Sequence, residues 1–192
     1  MDYLKNMKKK IKMNNIIKGN TRILRPFEIT KLIRAIPKIS NKEKFEVLLY
    51  SGARYTELQN LHKHPNWLVD NTIRMKSTKP KAKQSERYIR LNPQGVRAVE
   101  YFLRGDNLPH YVSWDHNLKR WAKLAGIGSE GICIKSTRKT WESWLVTSYP
   151  KQLEYVFLSQ GHSQMTALKF YLMIPFSEED KREMITYTMS WI

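Results

Sequence analysis

Cysteine is nearly absent from this sequence of 192 residues, and its scarcity excludes two kinds of structure. Cys133 is the only cysteine, so the chain can form no internal disulfide and no zinc site built on cysteine ligands. Long apolar runs are also missing, since no stretch approaches the roughly 20 apolar residues that a membrane-spanning helix needs. The N-terminus carries lysines where a secretory signal would carry an apolar stretch. These absences favour a protein that works in a reducing compartment.

Acidic residues are also scarce, since 17 Asp and Glu stand against 34 Lys and Arg, which gives a net charge of +17. The positive charge is concentrated in residues 5–12 (KNMKKKIK) and 76–83 (KSTKPKAK). Such clusters favour a nucleic-acid partner, because each Lys or Arg placed at a phosphate releases condensed counterions. An anionic membrane surface is the weaker alternative. We therefore expect a DNA-binding protein in the cytoplasm of a host cell, associated with the nucleoid.

Hydrophobic periodicity predicts a mainly helical fold with one small sheet, an α+β fold. Apolar residues recur at helical spacing in the segment that starts at Pro26 and again from Pro93 onward. Between them, NWLVD, NTIRMKS and ERYIRLN are short and rich in β-branched and aromatic residues. These segments predict a three-stranded antiparallel sheet, with residues 79–85 in the loop between its last two strands. A helix is also predicted between Asn41, as its N-cap, and Gly52, as its stop.

The predicted elements divide the chain into three parts. Residues 1–25 are rich in Lys and Asn and have a weak apolar pattern, and we interpret them as a basic arm or linker. Residues 26–175 form one domain. Residues 176–192 form a C-terminal helix that starts at Ser177, with acidic residues at its positive end.

Three short segments carry basic residues or tyrosine in positions that core packing does not explain. Arg54 lies in SGARYTEL at a predicted helix junction, where backbone donors are free and the side chain turns to a surface. Lys135 and Arg138 are three residues apart in KSTRKTW, which places both cations on one helix face. His162 opens, and Tyr171 nearly closes, the segment HSQMTALKFYL. Taken singly, these are also typical of a capping arginine, a solvated charged face and a packed helix.

Taken in order, the three segments resemble the sequence boxes of the tyrosine recombinase, or phage integrase, family. SGARYTEL resembles the Thr-Gly-Leu-Arg-x-x-Glu-Leu box and implies that Arg54 is the first catalytic arginine. KSTRKTW resembles the His-x-x-Arg-His-Thr box and implies that Arg138 is the second. LSQGHSQMTALKFYL resembles the Leu-Gly-His box and implies His162 as its histidine and Tyr171 as the nucleophile. The resemblance runs from about Pro26 to Tyr171 and implies the catalytic-domain fold of that family.

Lys135 departs from the family pattern, which usually has histidine at this position. The replacement is similar to that in the integrases of archaeal spindle-shaped viruses, and it implies a virus or mobile element as the source. Histidine gives or takes a proton near neutral pH, whereas lysine normally donates and keeps its charge. Proton acceptance by Lys135 would therefore require that burial and the nearby Arg138 lower its pKa.

The resemblance implies a site-specific recombinase or integrase that needs no metal, other cofactor or ATP. The phenol oxygen of Tyr171 would attack a DNA backbone phosphorus and expel the 5′ oxygen, leaving a 3′-phosphotyrosyl link that another strand's 5′-hydroxyl can reverse. Arg54 and Arg138 would each offer planar paired donors to the non-bridging oxygens, and His162 would add one more donor.

A lysine in the last hairpin of the sheet supplies the proton to the leaving oxygen in this family. Lys79 is our preferred candidate because it falls just past the second predicted strand, and Lys76 is the runner-up. The remaining basic residues of interest are predicted to contact DNA phosphates: Lys76, Lys81, Lys83, Lys139, Lys8, Lys9 and Lys10.

Other tyrosines are weaker candidates for the nucleophile. Tyr50, Tyr101 and Tyr155 fall on apolar helical stripes and are expected to lie in the core. Tyr187 lies in the last predicted helix, beyond the histidine box.

The resemblance also implies a partner and an assembly. The partner would be double-stranded DNA of the attachment-site type, and the protein would self-associate on it as a tetramer or a dimer of dimers. In this family the C-terminal helix often docks on a neighbouring protomer, which we prefer for residues 176–192, and folding back on its own domain is the alternative. Family members usually carry an additional N-terminal clamp domain, so we expect either a catalytic fragment or an arm that replaces the clamp.

Two other functions remain open from the sequence. A type IB topoisomerase has similar chemistry and fold, although the short chain and the wording of the boxes favour the recombinase. A DNA-binding protein that has lost catalysis is the other alternative, with Lys135 as the sign of decay.

Overall fold

The computed structural model describes residues 15–76, 86–161 and 174–192. The helices within these ranges are α1 (Pro26–Ala35), α2 (Ile39–Ser51), α3 (Tyr55–Lys63), α4 (Pro93–Arg104), α5 (Tyr111–Leu124), α6 (Ser136–Ser148), α7 (Leu153–Gln160) and α8 (Glu178–Thr188). The strands are β1 (Ile16–Lys18), β2 (Thr21–Ile23), β3 (Leu68–Val69), β4 (Thr72–Lys76) and β5 (Glu86–Arg90). The protein is therefore mainly helical with small antiparallel sheets, as the sequence predicts.

The three predicted strands form one antiparallel sheet in the order β3-β4-β5. Leu68 of β3 lies opposite Ile73 of β4, and β4 pairs along its whole length with β5, from Thr72 opposite Arg90 to Lys76 opposite Glu86. The prediction of the sheet is confirmed, and the loop placed at residues 79–85 lies outside the described residues.

A second sheet, the β1–β2 hairpin, corrects the interpretation of residues 1–25 as an arm. Gly19 and Asn20 both have positive φ, at 51° and 59°, which gives the tight turn that joins two short strands. Ile16 and Ile23 face each other across this hairpin and are buried in the core. The arm interpretation is therefore wrong for residues 16–25, because paired apolar side chains fix this segment to the domain.

α2 ends where the sequence predicts and begins earlier. Gly52 adopts the left-handed conformation that closes the helix, with φ of 56°. The N-cap, however, is Lys38, whereas the sequence predicts Asn41. Ile39 and Ser40 continue the helix without a side-chain cap, so the capping preference of Asn41 is overridden.

α6 is the most deeply enclosed of the described helices. It packs against α2, β2 and α8, and Trp141 and Trp144 on it are completely buried. The indole Nε1 of Trp144 donates to the carbonyl of Leu24 over 3.1 Å. A charged residue on such a helix needs partners inside the protein, because burying an unpaired charge is costly. Arg138 is in this position.

α8 begins at the predicted Ser177 cap and folds back on its own domain. Ser177 Oγ accepts from the backbone N–H of Asp180 over 3.1 Å, and the Asp180 carboxylate forms a buried ion pair with Arg25. Trp191, just beyond the helix, is fully buried and donates to the carbonyl of Arg90 over 2.8 Å. These contacts lie within the chain, whereas Ile185 and Met189 stay exposed on the same segment, so docking on a neighbouring protomer stays a prediction.

Two kinds of feature are not found in residues 15–76, 86–161 and 174–192. No helix there is long and apolar enough to cross a membrane. No group of three or more His, Cys, Asp or Glu side chains in the same ranges is arranged to hold a metal ion.

Candidate active site

Arg54 lies at the junction between α2 and α3, where it is the N-cap residue of α3. The left-handed Gly52 stops α2, and Ser51 Oγ accepts from the Ala53 N–H over 3.1 Å, which fixes the turn. The side chain of Arg54 is 49% exposed. The junction therefore presents an arginine at the surface, as the sequence predicts.

Glu57 holds Arg54 through both of its carboxylate oxygens. Oε1 accepts from Arg54 Nη1 over 2.7 Å, and Oε2 accepts from the Arg54 backbone N–H over 2.6 Å. The same oxygens accept from Nε of Arg87 over 3.3 Å and from its Nη2 over 2.5 Å. Burial tends to raise the pKa of Glu57, but the charges and hydrogen bonds of Arg87 and Arg54 outweigh it and hold the pKa below its usual value. Glu57 is thus ionised between two arginines.

Arg138 donates to two backbone carbonyls at helix ends. It is only 9% exposed, its Nη1 donates to the carbonyl of Gly52 over 2.6 Å, and its Nη2 donates to the carbonyl of Gln160. Gly52 closes α2 and Gln160 is the last residue of α7, so both carbonyls lie at the negative ends of helices. The buried guanidinium therefore joins the C-terminal ends of two helices.

The arginines form one electropositive cluster. Burial, together with the positive charges of Arg87 and Arg54, lowers the pKa of Arg138 to about 10, against the opposing effect of Glu142 and Glu57. The hydrogen bonds place the three guanidinium groups near one another, because Arg54 and Arg87 bind the same Glu57 carboxylate, and Arg87 and Arg138 bind the successive carbonyls of Ser159 and Gln160. The cluster is therefore suited to bind an anion, which would offset the mutual repulsion.

Gly52 is also required by the closeness of its neighbours. A Cβ at this position would lie 2.5 Å from Gln160 Oε1 and 2.7 Å from Trp141 Cδ1. Real side chains do not approach so closely, so the carbonyl of Gly52 can reach Arg138 only because residue 52 has no side chain. The amide group of Gln160 is fully buried and has no hydrogen-bond partner among the described residues.

The two lysines of the second basic segment lie in different environments. Lys135 is the N-cap residue of α6 and is exposed, so the burial that proton acceptance would require is missing. The Nζ of Lys139 donates to the carbonyl of Lys18 in the β1–β2 turn over 2.9 Å. Burial, together with the charge of Lys135, lowers the pKa of Lys139. Lys139 thus fastens the N-terminal hairpin to α6, in addition to its predicted contact with DNA.

The structure places some of the predicted site residues and not others. It brings Arg54 and Arg138 into one cluster and places Lys135 at the start of the helix that carries Arg138. Lys76 is exposed at the end of β4, opposite Glu86. The remaining predicted residues lie outside the described ranges, namely Tyr171, His162, Lys79, Lys81, Lys83, Lys8, Lys9 and Lys10.

Sequence reasoning missed Arg87, which is buried beside the predicted arginines. In β5 the side chains of Tyr88 and Arg90 are exposed, whereas Ile89 is buried and Arg87 is mostly enclosed. The alternation of the strand therefore places an arginine on the same inward face as Ile89. An inward arginine needs an acceptor, and that requirement is the signal that points to Glu57.

The competing tyrosines are placed differently from what their spacing predicts. Tyr101 and Tyr155 are exposed, so the expectation that they lie in the core is wrong, because α4 and α7 bury other faces. Tyr50 is half-buried and stacks on Tyr187 at 6.5 Å between ring centroids. The hydroxyl of Tyr187 lies 2.9 Å from Thr30 Oγ1, so this tyrosine packs within the domain.

Solved structures share this fold. The chain superposes on the XerA recombinase with a TM-score of 0.61 and 19% identity, over 86% of this chain and 64% of that one. It superposes on the Tn1549 transposon integrase, in complex with circular intermediate DNA, with a TM-score of 0.65 and 15% identity, over 96% of this chain and 74% of the integrase chain. No family model and no curated protein sequence matches the chain. At these identities the similarity shows a common fold with tyrosine recombinases, and the activity is a separate question.

Proposed function

We propose that the chain is the catalytic domain of a DNA recombinase that cleaves and rejoins strands through a tyrosine. The observation that carries the proposal is the cluster of Arg54 and Arg138, which come from distant segments and meet at the ends of α2 and α7. Its excess positive charge suits a phosphodiester. The fold common to the XerA recombinase and the Tn1549 integrase supports the same chemistry.

The two arginines would stabilise the negative charge that develops on the non-bridging oxygens of the scissile phosphate. Arg54 is half exposed, and among the described residues only Glu57 accepts from its guanidinium, so donors remain for a phosphate. Arg138 would reach the phosphate through the small part of its surface that remains exposed. Because both groups are fixed before DNA binds, little reorganisation is needed in the transition state.

The proposed nucleophile is Tyr171. Its phenol would release its proton to solvent as the phenol oxygen forms a bond to phosphorus and the bond to the 5′ oxygen breaks. The leaving oxygen would take a proton from Lys79, with Lys76 as the alternative donor. His162 would donate a hydrogen bond to the same phosphate. The reverse step, with a 5′-hydroxyl as nucleophile, releases Tyr171 and rejoins the DNA, so neither ATP nor a metal is required.

Lys135 would act as a fixed positive charge near the phosphate. Its side chain is exposed at the start of α6 and lacks the burial that proton acceptance would require. We therefore assign no proton acceptance to Lys135 in the cleavage step.

The proposed substrate is duplex DNA at an attachment site, recognised by a protein that assembles on it as a tetramer or dimer of dimers. The net charge of +17 and the lysines of residues 76–83 supply phosphate contacts. The Tn1549 integrase is bound to DNA in its structure. Integration into, or excision from, a host genome by a virus or mobile element fits this activity.

A nicked suicide substrate made from DNA that flanks the gene tests the proposal. The wild-type protein is expected to form a covalent adduct in the presence of EDTA, and Tyr171→Phe is expected to form none. Peptide mapping should place the DNA on Tyr171. Tight binding without an adduct would indicate a DNA-binding module, and efficient relaxation of supercoils by a monomer would indicate a topoisomerase.

A further inference from the structure

We propose that Arg87 is a positioning residue that aligns Arg54 and the end of α7 for strand cleavage, an inference that rests on the proposed function. Arg87 belongs to none of the three boxes, and its side chain is only 9% exposed. Each of its guanidinium nitrogens donates to an acceptor in the protein: Nε and Nη2 to Glu57 and Nη1 to the carbonyl of Ser159. With its nitrogens engaged in this way, Arg87 acts through its neighbours rather than on the phosphate.

The first consequence concerns the orientation of Arg54. A single exposed pair between Arg54 and Glu57 would fix the arginine weakly, because long side chains lose entropy in such pairs. Arg87 donates a hydrogen bond to each oxygen of the same carboxylate and thereby fixes the orientation of the carboxylate plane. Glu57 is thereby held in one orientation and offers Arg54 a fixed partner at 2.7 Å.

The second consequence concerns the end of α7. Ser159 receives two hydrogen bonds from β5, since its carbonyl accepts from Arg87 and its Oγ accepts from the Arg90 N–H over 3.1 Å. The next carbonyl in the chain, that of Gln160, accepts from Arg138. β5 therefore fixes the helix end that holds the second arginine, and His162 follows only two residues after Gln160 in the sequence.

Gly161 shows how closely Arg87 approaches this helix end. Gly161 has φ of 64°, and a Cβ there would lie 2.7 Å from Arg87 Cδ. The chain can turn past Arg87 only with glycine at this position. Arg87 thus connects β5, the start of α3 and the end of α7 at one point.

Stability alone does not account for this arrangement. A buried ion pair is often no more stabilising than an apolar pair of the same size, because both charges lose their hydration. Precise orientation does account for it, because a displacement of about 1 Å at a reacting centre can cost about 100-fold in rate. Arg87 fits the role of a residue that prevents such displacement.

The test compares Arg87→Lys with a matched control, Arg74→Lys. Arg74 forms an equivalent two-bond pair with Glu86 on the same sheet, with both contacts at 2.9 Å, but in an exposed position. DNA affinity and the single-turnover rate of adduct formation are measured separately. We expect Arg87→Lys to bind DNA within about 3-fold of wild type and to form adduct about 100-fold more slowly, because the ammonium cannot reproduce the paired donors. Arg74→Lys should change neither quantity by more than about 2-fold.

A double variant distinguishes positioning from a general loss of structure. If Arg87 acts through Arg54, the rate loss of Arg87→Lys with Arg54→Lys should be smaller than the product of the two single losses. Three results would each overturn the inference. Arg87→Lys could lose DNA affinity and cleavage rate to the same extent, or it could unfold at the assay temperature. The rate loss of the double variant could also equal the product of the two single-variant losses. If Arg87→Lys forms adduct at the wild-type rate, this inference is overturned but the proposed function is not. If the wild-type protein forms no adduct, the proposed function and this inference are both overturned.

Discussion

Two regions of the molecule, the α2–α3 junction and the first turns of α6, each contribute an arginine to the site and hold it in opposite ways. Arg54 is 49% exposed and is held by a carboxylate three residues away in sequence. Arg138 is 9% exposed and is held by carbonyls at the ends of two helices. Within the described ranges, the exposed arginine contacts only its own segment directly, whereas the buried one directly contacts two remote helix ends.

Because the two arginines are held differently, substituting each of them is expected to lower the cleavage rate by a different amount. The carbonyls of Gly52 and Gln160 meet Arg138 only if α2, α6 and α7 are correctly packed. Arg54 is held by Glu57 of its own helix start, and Arg87 in turn orients Glu57. The following predictions test this contrast, from the largest expected effect to the smallest.

Replacing each arginine by lysine gives the largest predicted difference. A single ammonium cannot reach both carbonyls and still face a phosphate, so Arg138→Lys should slow adduct formation about 1000-fold. Arg54→Lys loses one oriented donor set and should slow it about 100-fold. Single-turnover rates on the suicide substrate measure both. Equal losses, or a larger loss at Arg54, would contradict the contrast between a buried and an exposed arginine.

A methyl group at Gly52 should disturb the junction itself. Gly52→Ala places a Cβ 2.5 Å from Gln160 Oε1 and keeps a left-handed backbone, so we expect it to lower the free energy of unfolding by about 3 kcal/mol. Gly126→Ala is the matched control, because Gly126 has φ of 68° and no residue in the described part of the chain lies within 4 Å of the added Cβ. It should cost about 1 kcal/mol, from the backbone alone. Urea unfolding measures both, and similar losses would show that the contacts of Gly52 do not matter.

Lys135 should prove less sensitive than either arginine. If it supplies charge from an exposed position, Lys135→Arg should keep the cleavage rate within about 3-fold, and Lys135→Ala should lower it about 10-fold. The same suicide-substrate assay measures these rates. A loss in Lys135→Arg as large as in Lys135→Ala would indicate that lysine gives or takes a proton in the reaction.

The smallest predicted effect is the acid dependence that Glu57 gives to the fold. Its pKa lies below the ordinary value of 4.5 in the folded protein, because Arg87 and Arg54 favour the ionised form. The resulting stabilisation is complete above the unfolded pKa and is lost as pH falls through the folded pKa. Glu57→Gln should therefore unfold with a smaller pH dependence below about pH 4.5 than the wild type does. An unchanged acid dependence in thermal unfolding would mean that the carboxylate is not stabilised by its arginines.

The same contrast decides what the sequence could predict. The three-stranded sheet, the stop at Gly52 and the helix start at Ser177 depend on local signals, and each is confirmed. The N-terminal hairpin was missed because its turn, Gly19-Asn20, lies in a lysine-rich context that is more typical of an arm. β1 and β2 have only three residues each, which is too short for the alternation of apolar and polar residues to indicate a strand.

Within the site, the sequence predicts which side chains matter better than how they are held. Arg54 and Arg138 stand out through their boxes, but the carbonyls that fix Arg138 are backbone atoms and leave no mark in the sequence. Arg87 was missed because one inward arginine in a short strand is easily taken for another surface cation. The place of α8 on its own domain depends on the ion pair between Arg25 and Asp180, which are far apart in sequence.

The central claim is that Arg54 and Arg138 face the same scissile phosphate. The most direct test replaces that phosphate by a methylphosphonate, which removes one non-bridging oxygen and the negative charge. If the claim holds, the rate losses of Arg54→Lys and Arg138→Lys should each shrink by about 10-fold or more on the modified DNA, because the charge that they stabilise is gone. Losses of the same size on both substrates would show that the arginines act elsewhere and would contradict the account.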